Sequence, residues 1–149
     1  MTDEGPVTDE VLAADRADPI VVLNRDLMFG VQIGNVVRAL GFDPRFARTT
    51  DAFVEAIRRR DPRPALGIVD MNGPIDWDTI AKLTSEPDGP PLVGFGPHVD
   101  VEGRRAAKAA GMTRIVSNGE FHRGMAELIG RYARSADGGG HDPQLERGR

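Results

Sequence analysis

The sequence predicts a single α/β domain in which helices cover both faces of a five-stranded parallel sheet. Four short apolar segments and a weaker fifth segment recur along the chain, each about as long as a strand. Each is followed by a segment whose apolar residues repeat at helical spacing. Asn, Asp, Gly and Pro separate the segments, as is typical of turns. Strands that alternate with helices favour a parallel sheet, because each helix returns the chain to the same end of the sheet.

Composition narrows the function classes. The chain has 149 residues, a net charge of −4 and no cysteine, which excludes disulfides and thiolate metal sites. The three histidines share no ligand-like spacing, and scattered arginines in an acidic chain do not favour nucleic-acid binding. No apolar run approaches the ~18 residues of a membrane span, and the acidic start is unlike a secretory signal. We therefore expect a cytoplasmic protein that binds neither nucleic acid nor membrane.

The two ends of the chain are predicted to be disordered tails. Residues 1–17 are rich in acidic and small residues, and residues 136–149 contain three consecutive glycines and few apolar residues. Such segments bury too little apolar surface to offset their ordering entropy. The folded domain is expected to span residues 18–135.

In the first half of the domain, residues 19–23 predict a buried strand. The apolar spacing from Phe29 to Leu40 predicts the first helix. Residues 42–48 predict a weaker strand, where Pro44 suits the edge of a sheet. Thr50 and Asp51 then favour the start of a second helix.

In the second half, the remaining strands are predicted at 65–69, 92–95 and 114–116. Asp76 is expected to cap a helix that begins at Trp77. Asp100 is expected to cap an Ala-rich helix, and the last helix carries an apolar stripe from Phe121 to Tyr132.

These elements predict the flavodoxin-like strand order 2-1-3-4-5, doubly wound with helices on both faces. Right-handed crossovers leave few alternatives, and this order places the weak strand 2 at an edge. In such sheets, chemistry is located at the carboxyl ends of the strands, near the switch point between strands 1 and 3.

Several polar or small residues are predicted at that edge. They are Asn24, Arg25 and Asp26 after strand 1, Asp70 and Asn72 after strand 3, Gly96 after strand 4, and Ser117 and Asn118 after strand 5. Asp70 is the strongest candidate because it ends a buried apolar strand and is aimed at the crevice. The alternative is an aspartate that only begins a turn.

Three segments resemble the receiver domains of response regulators. ALGIVDMNGP is similar to their third strand and following loop, where the phosphoryl acceptor aspartate precedes a proline by four residues. AKAAGMTRIV resembles the turn into their fifth strand, and residues 91–95 fit their fourth strand. The order of elements matches over 18–135. The resemblance implies a CheY-like fold with Asp70 at the acceptor position.

The sequence departs from receivers at the other site positions. Leu23 and Asn24 stand where two acids usually bind Mg²⁺, with Asp26 two residues later. Gly96 replaces the hydroxyl residue that ends strand 4. Asn118 replaces the lysine that ends strand 5, or Ser117 does so if the register slips by one residue.

These losses matter because phosphoryl transfer to a carboxylate brings anions together. Mg²⁺ and a cation are needed to neutralise that charge. Asp70 and Asp26 would hold Mg²⁺ weakly at best, and Asp26 is better explained as the cap of the first helix. Arg25 is either a substitute cation or an ordinary surface arginine. No other cofactor is expected.

The sequence thus favours a stand-alone pseudo-receiver, a signalling and interaction module without robust phosphorylation. The resemblance implies a protein partner bound through helix 4, strand 5 and helix 5, and a homodimer stays open. One alternative is an atypical response regulator phosphorylated on Asp70 by a histidine kinase, and another is a small-molecule-binding α/β domain. We do not expect an enzyme. His98 and Asp100 could act as an acid–base pair, but the sequence shows no nucleophile that would work with them.

Overall fold

The computed structural model describes residues 17–134, so the predicted tails lie almost entirely outside the described residues. Five strands alternate with five helices. In chain order they are β1 (Pro19–Leu23), α1 (Leu27–Ala39), β2 (Asp43–Ala47), α2 (Thr50–Ile57), β3 (Leu66–Asp70), α3 (Trp77–Thr84), β4 (Leu92–Gly96), α4 (Val101–Ala109), β5 (Arg114–Ser117) and α5 (Asn118–Tyr132). Within residues 17–134, no helix has the length and apolar character needed to cross a membrane.

All strand pairs are parallel, and the sheet order is β2-β1-β3-β4-β5, which confirms the predicted topology. The strand that carries Pro44 is at one edge, and β5 is at the other. Leu23 pairs with Val69, and Asp70 pairs with Phe95. The carboxyl ends of β1, β3 and β4 therefore meet along one edge of the sheet.

The core consists of two apolar layers, because successive side chains of a strand point to opposite faces. On one face, Val21 and Leu23 pack with Phe53, Ile80 and neighbouring residues of α2, α3 and α4. On the other face the strands pack against α1 and α5, through Ile20, Val22, Ile33, Phe95 and Phe121 among others. The Phe95 and Phe121 rings stack with centroids 4.2 Å apart, and Phe29 meets both rings edge-on.

The helix starts follow the predicted capping chemistry. Asp26, Asp76 and Asp100 each accept a hydrogen bond from a backbone N–H in the first turn of α1, α3 and α4. Helix α2 starts one residue earlier than expected, because the Thr49 hydroxyl accepts from Ala52 and leaves Thr50 inside the helix. Trp77 is the first residue of α3, as predicted.

Helix α5 is attached to the sheet at both ends. It follows β5 directly, since Ser117 ends the strand and Asn118 begins the helix. Beyond its other end, the Arg134 amide donates to Ala65 O at 3.0 Å, and the Arg134 guanidinium donates to two carbonyls of the α3–β4 loop. Between these ends the helix is interrupted at Gly124, where φ is −122° and ψ is 30°.

Candidate functional site

Asp70 ends β3 at the predicted edge, and its side chain is largely enclosed, with 7% of the residue exposed. One carboxylate oxygen, Oδ1, accepts two hydrogen bonds from the loop that follows. The Asn72 backbone N–H donates at 2.9 Å and the Asn72 side-chain amide at 2.7 Å. The loop after β3 is therefore folded back onto this carboxylate, as in an Asx turn.

Asn72 links Asp70 to the start of α5. Its Nδ2 also donates to Asn118 Oδ1 at 2.9 Å, and Asn118 Nδ2 donates back to Asn72 Oδ1 at 2.9 Å. Of the two candidates after β5, Asn118 is therefore the one whose side chain reaches the crevice. Ser117 instead caps α5, in a reciprocal capping box with Glu120. Neutral amides from two elements therefore lie beside the carboxylate.

The Asn24 and Asp26 side chains after β1 form hydrogen bonds within their own loop and with the first turn of α1. The Asn24 side chain donates to Asp26 O at 2.8 Å and accepts from the Asp26 N–H at 3.3 Å. Asp26 Oδ1 accepts from Phe29 N at 3.0 Å, which confirms its role as a helix cap. Within residues 17–134, no group of three or more His, Asp or Glu side chains is arranged to hold a metal ion.

Arg25 connects three loops at this edge. Its Nε donates to Arg48 O in the β2–α2 loop at 2.9 Å, and its Nη2 donates to Pro74 O in the β3–α3 loop at 2.9 Å. The sequence left two interpretations of Arg25 open, a substitute cation or an ordinary surface side chain. Neither predicted that this side chain would hold two other loops through hydrogen bonds. Nothing local in the sequence signals it, because the acceptors are backbone carbonyls 23 and 49 residues away.

Gly96, the last residue of β4, lies close to the side chain of Met71. A Cβ added there would lie 3.0 Å from Met71 Cβ, which is tighter than about nine in ten real Cβ contacts. Met71 is buried, and its backbone N–H donates to Phe95 O at 2.8 Å, so it is held against β4. A hydroxyl side chain at position 96 would require the segment that carries Met71 to move.

His98 and Asp100 do not form a site. His98 is exposed, and the Asp100 carboxylate accepts from Gly103 N at 2.8 Å as the predicted cap of α4.

No protein-family model matches the chain, and no curated protein matches it significantly. Solved structures do match. The chemotaxis protein CheY4 of Vibrio cholerae superposes with a TM-score of 0.63 at 12% identity, over 78% of this chain and 98% of that one. The phosphorylated cyanobacterial phytochrome response regulator RcpA gives 0.65 at 12% identity, over 78% and 94%. The receiver domain of a histidine kinase from Syntrophus aciditrophicus gives 0.63 at 17% identity, over 78% and 89%.

These similarities establish the class of fold. The five-stranded order and the shared architecture are those of CheY-like response-regulator receiver domains. The identities are too low to carry over the role of any residue.

Proposed function

We propose that this chain is a cytoplasmic receiver-like signalling module that acts through protein contacts, without enzymatic activity and without efficient phosphorylation of Asp70. The observation that supports this most is the surroundings of Asp70. Its carboxylate accepts from the backbone and side-chain amides of Asn72, and that side chain also pairs with Asn118, where a receiver would have further acids and a lysine.

Charge is the physical reason. A phosphoryl group that approaches a carboxylate needs a divalent cation and a fixed positive charge to offset the accumulating negative charge. Mg²⁺ prefers several oxygen ligands in near-octahedral geometry, with carboxylates supplying the charge. Asn24 supplies a neutral amide engaged with Asp26, and the Asp26 carboxylate caps α1. Asp70 alone would bind the metal weakly.

The end of β4 supports the same proposal. A phosphate-driven switch needs a side chain that follows the phosphoryl group, and Gly96 has none. The contact with Met71 leaves little room for one. A signal through this domain would then come from binding a partner rather than from a phosphate-driven movement of this loop.

The face formed by α4, β5 and α5 is the proposed contact surface. β5 is an edge strand, and a groove of about 230 Å³ lies between it and α5. Its lining combines charges of both signs, Arg114 and Arg131 with Glu120 and Glu127, beside the apolar Val116 and Leu128. At the start of α4, Val99 and Val101 are 80% and 59% exposed. Apolar side chains next to arginines are typical of protein interfaces.

Phosphorylation is tested directly with Mg²⁺ and a small acyl phosphate such as acetyl phosphate. Trp77 starts α3 just after the Asp70 loop, so its fluorescence reports Mg²⁺ binding. We expect no saturable response at millimolar Mg²⁺ and no gain of a phosphoryl group by intact mass. A stable phosphoprotein that is lost in Asp70→Asn would overturn the proposal in favour of an atypical response regulator phosphorylated on Asp70.

A matched control restores the missing charges. The double variant Asn24→Asp with Asn118→Lys returns one acid and one cation to the crevice, on residues that already lie at this edge. We expect a Mg²⁺-dependent change in Trp77 fluorescence in this variant. If this variant stays folded and its fluorescence does not respond to Mg²⁺, the missing charges are not what prevents Mg²⁺ binding.

The contact surface is tested with Arg104→Glu and Arg131→Glu together, against a partner recovered by affinity purification from the native host. We expect weaker binding with an unchanged melting temperature, since surface substitutions usually change stability by less than about 0.5 kcal/mol. Arg59→Glu with Arg60→Glu, on exposed residues after α2, is the control. Equal binding by both double variants would place the interface elsewhere.

A further inference from the structure

We infer that a groove between α1 and β2 binds a small aromatic anion, a planar apolar body that carries one carboxylate, sulfonate or phosphate group. The groove has a volume of about 400 Å³, and it lies beside the Asp70 crevice, with the β1–α1 loop as their shared wall. Pockets for small ligands generally have volumes of about 300–1,000 Å³. Nothing in the proposed signalling role requires this groove.

The floor of the groove is apolar and flat. Gly30 and Gly34 lie one turn apart on α1 and face the ring of Phe46 on β2. Phe46 is 46% exposed, although it is a large aromatic residue in the sheet, and Val31 beside it is 54% exposed. An aromatic ring that enters here would stack on Phe46 and cover both side chains.

The two glycines are present for different reasons. A Cβ at Gly30 would lie 2.7 Å from Asn24 Nδ2, so the local fold already requires glycine there. The nearest atoms to a Cβ at Gly34 would be Arg38 Nη1 and Phe46 Cζ, both at 3.4 Å, and Arg38 Nη2 at 3.7 Å, so alanine would fit against the movable end of the Arg38 side chain. Glycine in a helix interior is less stable than alanine. Glycine at position 34 lets the Arg38 guanidinium and the Phe46 ring lie close to the helix backbone.

The rim of the groove is positively charged. Arg38 and Arg48 both line it, with the Arg38 guanidinium over Gly34, and within residues 17–134 neither guanidinium makes a hydrogen bond or an ion pair. Arg25 adds a third positive charge, while Asp26, the single acid of the lining, caps α1. Planar guanidinium groups pair in bidentate fashion with carboxylate and phosphate. Unpaired cations above an aromatic floor therefore select an aromatic anion over a neutral ligand.

The test uses a fluorescent probe of this chemistry, 8-anilinonaphthalene-1-sulfonate, with neutral N-phenyl-1-naphthylamine as its uncharged counterpart. We expect saturable binding of the sulfonate to one site on the folded protein, about tenfold or more tighter than that of the neutral amine. Adenosine monophosphate and indole-3-acetate, added as competitors, distinguish a phosphate-bearing from a carboxylate-bearing ligand. Displacement by neither would overturn the proposal.

Three variants and one control variant separate the contribution of charge from that of shape. Arg38→Gln with Arg48→Gln should lower the affinity for the sulfonate about tenfold and leave the affinity for the neutral amine unchanged. The control variant, Arg59→Gln with Arg60→Gln, should change neither affinity. Gly34→Ala should raise the unfolding midpoint yet weaken both probes, and Gly34→Leu should abolish binding of both. Weak, unsaturable binding that no variant changes would show a general affinity for exposed apolar surface and overturn the proposal.

Discussion

Asn72 and Asn118 exchange a pair of side-chain amide hydrogen bonds, each 2.9 Å long, between the loop after β3 and the first residue of α5. The same Asn72 amide donates to Asp70 Oδ1 at 2.7 Å. The carboxylate, the loop and the helix start therefore form one hydrogen-bonded unit. Each of these contacts joins two groups of the protein itself.

Asp70→Asn tests the electrostatics of this unit. In a crowded acidic site, removing one negative charge strongly stabilises the fold, but here the neighbours of Asp70 are amides. We expect the free energy of unfolding in urea to change by less than about 1 kcal/mol, as for the exchange of one hydrogen-bond acceptor for another. A stabilisation above about 2 kcal/mol would reveal carboxylate crowding. Asp26→Asn, which keeps a capping oxygen, is the reference.

Arg25→Lys tests the brace between the loops. One ammonium group cannot reproduce the fork that contacts Arg48 O and Pro74 O together. We expect a loss of about 1–2 kcal/mol, measured by chemical denaturation, because two charge-assisted hydrogen bonds near the surface are weakened. Arg60→Lys, on an exposed residue, should stay within about 0.5 kcal/mol of the parent. If the two substitutions change the free energy of unfolding equally, the hydrogen bonds of Arg25 do not stabilise the fold.

Gly96→Ser tests whether a hydroxyl is tolerated at the end of β4. The new Cβ would lie 3.0 Å from Met71 Cβ. We expect a cost of about 1–3 kcal/mol, as for other overpacked core positions. Gly89→Ser is the matched control, since a Cβ there meets nothing within 4 Å. Should Gly96→Ser prove as stable as the control, the Met71 segment must relax easily.

Glu120→Gln tests the cap of α5 through pH. The pKa of Glu120 is lowered, chiefly by the backbone N–H of Ser117 and then by the Ser117 hydroxyl, with Arg114 and Arg104 adding smaller effects. A group whose pKa falls on folding stabilises the folded state above its unfolded pKa, and this contribution is lost as pH drops through the folded value. Glutamine keeps the acceptor oxygen but does not titrate.

The wild type should therefore melt at a higher temperature than Glu120→Gln at neutral pH, and the difference should begin to shrink as pH falls below about 4.3, the ordinary pKa of glutamate, and disappear below the lowered pKa of the folded protein. Thermal melts at several pH values measure it. Because the side chain is exposed, added salt should reduce the difference. A gap that is constant from pH 7 to pH 3 would contradict the assignment of the shift to this carboxyl group.

The sequence predicts best where the physics is local. Apolar runs identified four of the five strands, the weaker pattern of residues 42–48 identified β2, and three aspartates indicated three helix starts, because a cap acts within its own first turn. The strand order followed from crossover handedness and from Pro44 at the edge. Element limits shifted by a residue or so, as with α2, which starts beyond Thr49.

The site was predicted less completely because its contacts are distant in sequence. Asn72 and Asn118 are 46 residues apart, and Arg25 contacts carbonyls whose positions no side-chain pattern reveals. The groove beside α1 was missed for the same reason. Gly34 and Phe46 become neighbours only once β2 lies next to β1. The functional roles of the candidate residues stay predictions.

The attachment of α5 at both ends has a mechanical consequence. Asn118 is tied to the loop after β3, and the Arg134 amide is tied to Ala65, just before the same strand. Both ends of a helix of about 22 Å are therefore fixed to residues that flank β3, while its length packs on β4, β5 and α1. The non-helical backbone at Gly124 lies between these two fixed ends, so a change of angle between the two halves of α5 would be centred there.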